Sequence, residues 1–198
     1  NNSGSVLIEN QINSIRIIST NFSNCHDGFI YTPEKNDSSV SSVLISESIF
    51  DSISNYALRL FVFNNLSLYN NTIKNCQRDE DNPNPIFELD FQNNNTNHIV
   101  FDQFIFENNS FNNSNNSSLI NGGGIGLSIV LFDVEEIFIE FVNSSFISNY
   151  AAKCGGAFAY IDNEYSSINS SFSFTGCIFK GNSCNNLKGH ALYIEAKN

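Results

Sequence analysis

The chemistry that this sequence signals most often is the attachment of glycans to asparagine side chains. An asparagine followed two residues later by serine or threonine is the acceptor sequence for N-glycosylation. Twelve such sequences begin at Asn1, Asn21, Asn36, Asn65, Asn70, Asn94, Asn108, Asn112, Asn115, Asn116, Asn143 and Asn169. With 34 asparagines in the chain, this is about twice the number that chance placement would give. The excess predicts an extracellular glycoprotein. The alternative is that asparagine and serine simply occur together in polar turns.

An acidic loop at residues 77–85, QRDEDNPNP, is the best candidate for a metal site. Asp79 and Asp81 offer the oxygen ligands that Ca²⁺ prefers, but the calcium-loop spacing D-x-[DN]-x-[DN]-G is absent, so the signal is weak. A solvated loop insertion is the alternative. The three histidines show no zinc-ligand spacing with the cysteines, and we predict no cofactor.

Carboxylates could also act in catalysis, because cleavage of a glycosidic bond uses a pair of them. Here Asp and Glu are spread along the chain without a paired-Asp motif, and we predict no catalytic residues. An enzyme acting on polysaccharides, a lyase or hydrolase, stays an alternative. A glycan-binding module is another, and it would need exposed aromatic side chains, for which Tyr31, Tyr69 and Tyr165 are candidates.

Composition narrows the choice of partners. The net charge is −11, and the nine Lys and Arg residues are scattered singly, whereas nucleic-acid binding needs clustered cations. No apolar run reaches the roughly 18 residues of a membrane span, so we expect no membrane insertion by this segment. The chain contains no Met, and we therefore expect a processed chain or a segment of a longer one.

The elements that would carry these residues are short β-strands, arranged in repeats. Apolar residues alternate with period two, and Asn, Ser and Gly punctuate the runs, a pattern typical of strands. An apolar residue beside a polar turn recurs at Phe22, Phe50, Ile73, Phe111, Phe146 and Phe179. Each is preceded by one strand-like run and followed, after a loop of variable length, by another.

Repeats of this size predict an all-β right-handed parallel β-helix of about six coils, forming one domain over residues 1–198. Equivalent residues of successive coils would stack, so the six apolar residues would form one inward column. Asn149 and Asn182 would form part of a side-chain amide ladder, each donating to the carbonyl of the next coil. An ungapped overlay at 33 residues places Gly156 on Gly189 and Tyr160 on Tyr193. The glycines would allow a tight corner.

The same stacking bears on the five cysteines. Cys25 and Cys76 would share a column two coils apart, about 9.6 Å, which is too far for a disulfide. Cys154 and Cys184 lie at opposite ends of one variable loop in neighbouring coils, and we predict a disulfide between them, with Cys177 as the next candidate partner. Cys25, beside His26, is expected to point inward.

The repeat resembles the paired FxxN and GGA[ILV] motifs of the polymorphic outer-membrane protein family. Phe146 to Asn149 followed by Gly155, Gly156 and Ala157 carries both motifs, and Phe179 to Asn182 repeats the first. The second half of that later repeat keeps only Gly189. The resemblance implies a surface-exposed parallel β-helix used in adhesion or display, without a catalytic residue set.

These observations together predict a non-enzymatic structural or adhesive protein, extracellular or at a cell surface. The expected partners are covalent N-glycans and either further coils of a longer chain or other copies of the chain, stacked end to end into a filament. End-to-end stacking is expected because a terminal coil exposes unpaired backbone groups that recruit another strand.

Overall fold

The computed structural model describes residues 6–8, 14–31, 42–61, 66–78, 87–91, 97–111, 127–131, 136–152, 155–161, 169–185 and 189–195. Every regular element within these ranges is a β-strand, and all of their strand pairs are parallel. The predicted all-β class is therefore confirmed, with parallel strands in stacked sheets.

Two sheets have six strands each. Sheet 1 contains, in spatial order, β2 (Ser14–Ile18), β5 (Ser42–Ser46), β8 (Leu66–Tyr69), β12 (Asn97–Asp102), β16 (Glu136–Val142) and β20 (Asn169–Thr175). Sheet 2 contains β3 (Asn21–Ser23), β6 (Ile49–Asp51), β9 (Thr72–Lys74), β13 (Ile105–Glu107), β17 (Ser145–Ile147) and β21 (Ile178–Lys180). In both sheets the spatial order follows the chain order.

The remaining strands form three smaller sheets. Sheet 3 contains β1 (Val6–Ile8), β4 (Phe29–Tyr31), β7 (Leu58–Phe61), β11 (Phe87–Phe91) and β15 (Leu127–Leu131). A two-stranded sheet pairs β19 (Phe158–Ile161) with β23 (Leu192–Glu195). A sheet of short strands contains β10 (Gln77–Arg78), β14 (Ser110–Phe111), β18 (Tyr150–Ala151) and β22 (Ser183–Cys184).

The chain therefore passes through the sheets in a repeating order, and we call each pass a level. A level begins with a strand of sheet 1, continues into sheet 2 and ends in sheet 3 or in the two-stranded sheet. The described strands from β2 to β23 make six levels, and β1 precedes the first of them. Equivalent residues of successive levels are paired in register, for example Phe22 with Phe50 and Phe146 with Phe179.

Two backbone corners in each level flank the strand of sheet 2. Each corner is made by one residue with φ between 50° and 66°, the left-handed region that Gly and Asn tolerate best. The first corners are at Ser19, Glu47, Asn70, Gln103, Asn143 and Gly176, and the second at Asn24, Ser52, Asn75, Asn108, Ser148 and Gly181. The two corners of a level are always five residues apart, whereas equivalent residues of successive levels are 23 to 40 residues apart. The segment from the first corner to the second is therefore constant in length, and we call it the corner unit. Only the loops outside it vary in length.

The core is built from inward-facing columns in which like residues stack. Strand burial alternates, as in β2 and β8, and one buried column runs through sheet 2. The rings of Phe106 and Phe146 stack with centroids 5.1 Å apart, and those of Phe146 and Phe179 are 4.8 Å apart. These distances match the strand spacing of a sheet.

The fourth member of this column is Phe106, and the prediction of Phe111 was wrong. Phe106 pairs with Ile73 on one side and Phe146 on the other, whereas Phe111 pairs with Ala151 in the short sheet. Residues 98–106 form one apolar run in the sequence, but the left-handed corner at Gln103 divides this run between β12 and β13. The FxxN motif of this level is therefore Phe106 to Asn109.

The ungapped overlay of the last two levels was also wrong by one residue beyond the loop. Phe158 pairs with Leu192 and Tyr160 with Ile194, so the offset there is 34 rather than 33 residues. Gly155 and Gly189 become equivalent, and both have positive φ, 57° and 59°. Gly156 has a different role, because a Cβ atom there would lie 2.3 Å from the carbonyl oxygens of Ser183 and His190. A one-residue shift reverses which side chains face inward.

Candidate functional site

The second corner is held by a ladder of buried asparagine amides. Asn149 Nδ2 donates to the carbonyl oxygen of Phe106 at 2.9 Å, and Asn182 Nδ2 donates to that of Phe146 at 2.8 Å. Asn109 continues the ladder, donating to the carbonyl of Ile73 at 2.9 Å. The backbone carbonyl that each amide donates to thus belongs to the preceding level, and the prediction that it belongs to the next level was wrong.

The side-chain oxygens of the ladder complete the pattern. Asn149 Oδ1 accepts from the backbone N–H and from Nδ2 of Asn109, both at 3.1 Å. The Oδ1 of Asn109 accepts from the backbone N–H of Cys76 at 3.1 Å. Both halves of each amide are therefore used, as burial requires. In the first three levels, the position of the ladder asparagines is held by Cys25, Ile53 and Cys76, all of them buried. Ile53 therefore lies between the two cysteines.

A second polar column, which the sequence analysis missed, lies just after the first corner. Asn71 Nδ2 donates to the carbonyl of Ile45 at 2.8 Å, and its Oδ1 accepts from the backbone N–H of Ser48 at 3.0 Å. Ser144 donates to the carbonyl of Phe101 at 3.0 Å, and Cys177 directs its thiol to that of Phe141 at 3.2 Å. The available signal was a polar pair such as Asn70–Asn71 or Asn143–Ser144 before a strand.

These corners position one continuous outer surface, which we call the sheet 2 face. It consists of the outward residues of sheet 2 and the two columns of corner residues. One outward column alternates polar and apolar side chains: Asn21, Ile49, Thr72, Ile105, Ser145 and Ile178. Ile49, Ile105 and Ile178 are 37%, 38% and 56% exposed. The surface is regular, with side chains repeating at the level spacing.

The other outward column of this face is charged in its middle. Lys74 Nζ lies 3.4 Å from Asp51 Oδ2, and Asp51 Oδ1 accepts from Asn75 Nδ2 and Ser52 Oγ at 2.9 Å each. Partial burial alone would raise the pKa of Asp51. The hydrogen bonds and the charge of Lys74 outweigh it and hold that pKa below its ordinary value of 3.8.

All four predicted glycosylation sites with described side chains lie on the sheet 2 face and are exposed. Asn70 and Asn143 are first-corner residues, Asn108 is a second-corner residue, and Asn21 is an outward strand residue. Asn169 begins β20, but its side chain lies outside the described residues. So do Asn1, Asn36, Asn65, Asn94, Asn112, Asn115 and Asn116.

Other predicted sites are only partly covered by the described residues. Cys154, Asp79 and Asp81 lie outside them, so the disulfide and the calcium site stay predictions. Cys184 is buried, with its Sγ 3.8 Å from the carbonyl oxygen of Gly189. Among the described residues, no group of three or more His, Cys, Asp or Glu side chains could hold a metal ion.

The tyrosines that were candidates for glycan binding differ in their exposure to solvent. Tyr31 is fully buried and so is unavailable to a ligand, whereas Tyr69 is 42% exposed on the outer side of sheet 1. Tyr165 lies outside the described residues. At most one of the two described candidates could therefore contact a sugar.

A cluster of polar side chains around Asp27 joins the first two levels through the loop before sheet 3. Asp27 Oδ1 accepts from Asn55 Nδ2 at 2.5 Å and from the backbone N–H of Tyr56 at 3.3 Å, and Asp27 Oδ2 lies 3.0 Å from His26 Nδ1. Burial alone would raise the pKa of Asp27. Its hydrogen bonds and the charge of His26 outweigh burial and lower it below 3.8. Cys25 is buried and His26 exposed, so these neighbours do not form a catalytic pair.

The described strands are short and no membrane-crossing helix is found among the residues that the structure covers. No protein-family model, curated protein or solved structure matches the chain.

Proposed function

We propose that the chain is a right-handed parallel β-helix that serves as a non-enzymatic structural or adhesive rod outside the cell. Each level would be one coil, and the sheets would be the sides of the helix. The observation that carries the proposal is the in-register pairing of six levels around corners of constant spacing. Right-handedness follows the general preference of parallel crossover connections.

Such a stack favours a mechanical role because its stability is repeated along one axis. Backbone bonds of every described level run to the next, and buried amide and aromatic columns reinforce them, as in Phe141 stacked on Phe174 at 5.0 Å. Six levels at about 4.8 Å give a rod roughly 29 Å long. Solenoids of this kind present long regular surfaces for binding.

The location outside the cell is supported by the acceptor sequences. Four of them place asparagine on the exposed sheet 2 face, where a glycan would not disturb the core. N-linked glycans are bulky and solubilising, and they occur on surface residues of secreted proteins.

Stacking of copies or of further coils is supported by the last described level. Phe179, whose column neighbour Phe146 is fully buried, is 37% exposed in the sixth level. This end offers apolar surface to a further level of the same kind. The first level differs, because a hollow of about 370 Å³ lies beside it but its lining residues Ile15, Phe22 and Phe29 are buried.

The proposal is tested on the chain secreted from a eukaryotic cell, by its intact mass before and after enzymatic removal of N-glycans and by small-angle scattering. We expect a loss of glycan mass and particles whose length increases in steps of about 29 Å as copies stack end to end. Unglycosylated particles of a single copy would overturn the proposal. Cleavage of an acidic or neutral polysaccharide by the purified chain would instead favour the enzyme alternative.

A further inference from the structure

We infer that the sheet 2 face is the glycan-bearing side of the molecule, with N-linked oligosaccharides on Asn21, Asn70, Asn108 and Asn143. The inference rests on the proposed extracellular location. It adds that the glycans of the four acceptor sites with described side chains share one face of the stack.

The corner geometry determines which residues of an acceptor sequence are exposed and which are buried. In Asn70–Asn71–Thr72, the corner residue Asn70 is exposed, Asn71 turns into the buried polar column, and Thr72 opens the strand on the outer surface. Asn143–Ser144–Ser145 has the same arrangement, with Ser144 buried. The asparagine and the hydroxyl residue therefore lie on the same outer side, while the middle residue anchors the corner.

The second corner repeats this arrangement on the other edge of the face. In Asn108–Asn109–Ser110, Asn108 is exposed and Asn109 belongs to the buried amide ladder. Asn21 differs, because it is an outward residue of β3, with Phe22 buried behind it. Acceptor asparagines thus occur in the first, third, fourth and fifth levels.

The level spacing decides how the glycans would share the face. Asn70 and Asn143 occupy the same column two levels apart, about 9.6 Å, with Asn108 on the opposite edge of the level between them. A branched oligosaccharide on each would spread over the intervening levels. Lateral contacts through this face would be blocked, which leaves the other sheets and the ends for partners.

Corner geometry alone does not require glycosylation, and the chain provides its own control for this. Asn24 and Asn75 are second-corner residues with φ of 52° and 55°, both exposed, but His26 and Gln77 stand where an acceptor sequence needs Ser or Thr. Asparagine is therefore favoured at the corner by its backbone. The hydroxyl two residues later is the additional feature of Asn70, Asn108 and Asn143.

The modification is a transfer from a polyprenyl-diphosphate oligosaccharide, catalysed by a membrane transferase of the secretory pathway. The asparagine Nδ2 attacks the anomeric carbon, a carbon–nitrogen bond forms, and the carbon–oxygen bond to the diphosphate breaks. The diphosphate leaves with the bonding electrons, and Nδ2 gives up one proton to a base of the transferase.

The test is a site-resolved peptide map of the secreted chain, deglycosylated enzymatically in ¹⁸O-labelled water so that each formerly glycosylated asparagine becomes labelled aspartate. We expect label at Asn21, Asn70, Asn108 and Asn143 and none at Asn24 or Asn75. Label at other acceptor sites with none at these four would overturn the inference and leave the proposed location standing. No label anywhere would overturn both.

Variants that keep every corner asparagine sharpen the result. Ser23→Ala, Thr72→Val, Ser110→Ala and Ser145→Ala each remove one acceptor sequence, and each is expected to lower the intact mass by one glycan. Gln77→Thr creates an acceptor sequence at Asn75 and is expected to add one. If Gln77→Thr folds and is secreted without a glycan at Asn75, the corner positions are not accessible to the transferase. If a variant fails to fold, the peptide map of the wild-type chain still tests the four sites.

Discussion

The Oδ1 atom of Asn182 lies 3.0 Å from both the backbone nitrogen and Nδ2 of Asn149, so one side chain caps the turn and supports the amide of the level before it. The same relationship joins Asn149 to Asn109. Within this ladder the chain replaces water with its own amides at a buried corner. Removing one rung leaves donors and acceptors on two levels without partners.

Asn149→Ala is therefore expected to destabilise the fold strongly. It removes the acceptor of Asn109 and the donor to Phe106, both in the buried interior, and an unsatisfied buried group costs about 1–3 kcal/mol. We expect a loss of about 2–4 kcal/mol in the free energy of unfolding, measured by urea denaturation followed by circular dichroism. Asn185→Ala, at an exposed position, is the control; an equal loss in both variants would contradict the role of the ladder.

The aromatic column gives a second stability test. Phe146 is fully buried and Phe179 is 37% exposed, although they stack on each other in adjacent levels. Phe146→Ala should cost about 3–5 kcal/mol, the usual range for a buried Phe, and Phe179→Ala clearly less. The comparison uses the same denaturation midpoints and slopes, and equal losses would mean that Phe179 is covered in solution by another level or another copy.

The left-handed corners predict a reversal of ordinary strand preferences. Gln103 has φ of 53°, and a β-branched residue there is strained. We expect Gln103→Gly to be more stable than Gln103→Val by about 1–3 kcal/mol. Gln77, an exposed residue of strand β10, should show the opposite order, because strands favour Val over Gly. If both positions show the same order of stability, the backbone at Gln103 does not have the left-handed angle in solution.

Acid should weaken the link between the first two levels. The pKa of Asp27 is lowered in the folded chain, so its ionised form contributes stability above the ordinary pKa, and this contribution is lost as the pH falls through the folded pKa. Asp27→Asn lacks this contribution, and its free energy of unfolding should fall less between pH 7 and pH 3 than that of the wild-type chain. Asn55→Ala, which removes a donor to Asp27, should shift the dependence in the same direction.

Asp51 titrates in the same acid range, since its pKa is also lowered. The double variant Asp27→Asn, Asp51→Asn should therefore depend on pH less than either single variant. If Asp27→Asn keeps the full wild-type dependence, the hydrogen bonds to Asp27 do not stabilise its charged form.

The repeat was readable from the sequence wherever the inward residues are large and alike. The strands of sheet 1, and those of sheet 3 apart from β1, were recognised by their apolar runs. The predicted column is confirmed at Phe22, Phe50, Ile73, Phe146 and Phe179. The fourth level failed because the corner at Gln103 lies inside one apolar run. Inward residues are two apart on either side of the corner but three apart across it, from Phe101 to Phe104, and this break in the period was overlooked. A corner made by Gln, rather than by Gly or Asn, gives little warning.

The polar columns were harder to foresee for a different reason. The side chains of Ser48, Asn71, Ser144 and Cys177 all hydrogen-bond to the backbone of the preceding level. Because these side chains differ, no single residue type marks the position. The excess of acceptor sequences also has two explanations that the sequence could not separate, glycosylation and the backbone preference of asparagine. At Asn70, Asn108 and Asn143 the backbone corner favours asparagine independently of any glycan.

The constant corner unit has a consequence for how the length of such a chain can change during evolution. Tyr69 and Asp102 are paired equivalents, and each is followed directly by a first corner, Asn70 and Gln103. Deleting residues 70–102 would join Tyr69 to Gln103 and remove one whole level. Each remaining strand would still pair with its equivalent strand in the adjacent level. Duplication of the same stretch would lengthen the chain by one level in the same way. The length of the molecule can therefore be altered in fixed steps by recombination within the gene, without a new folding problem at the junction.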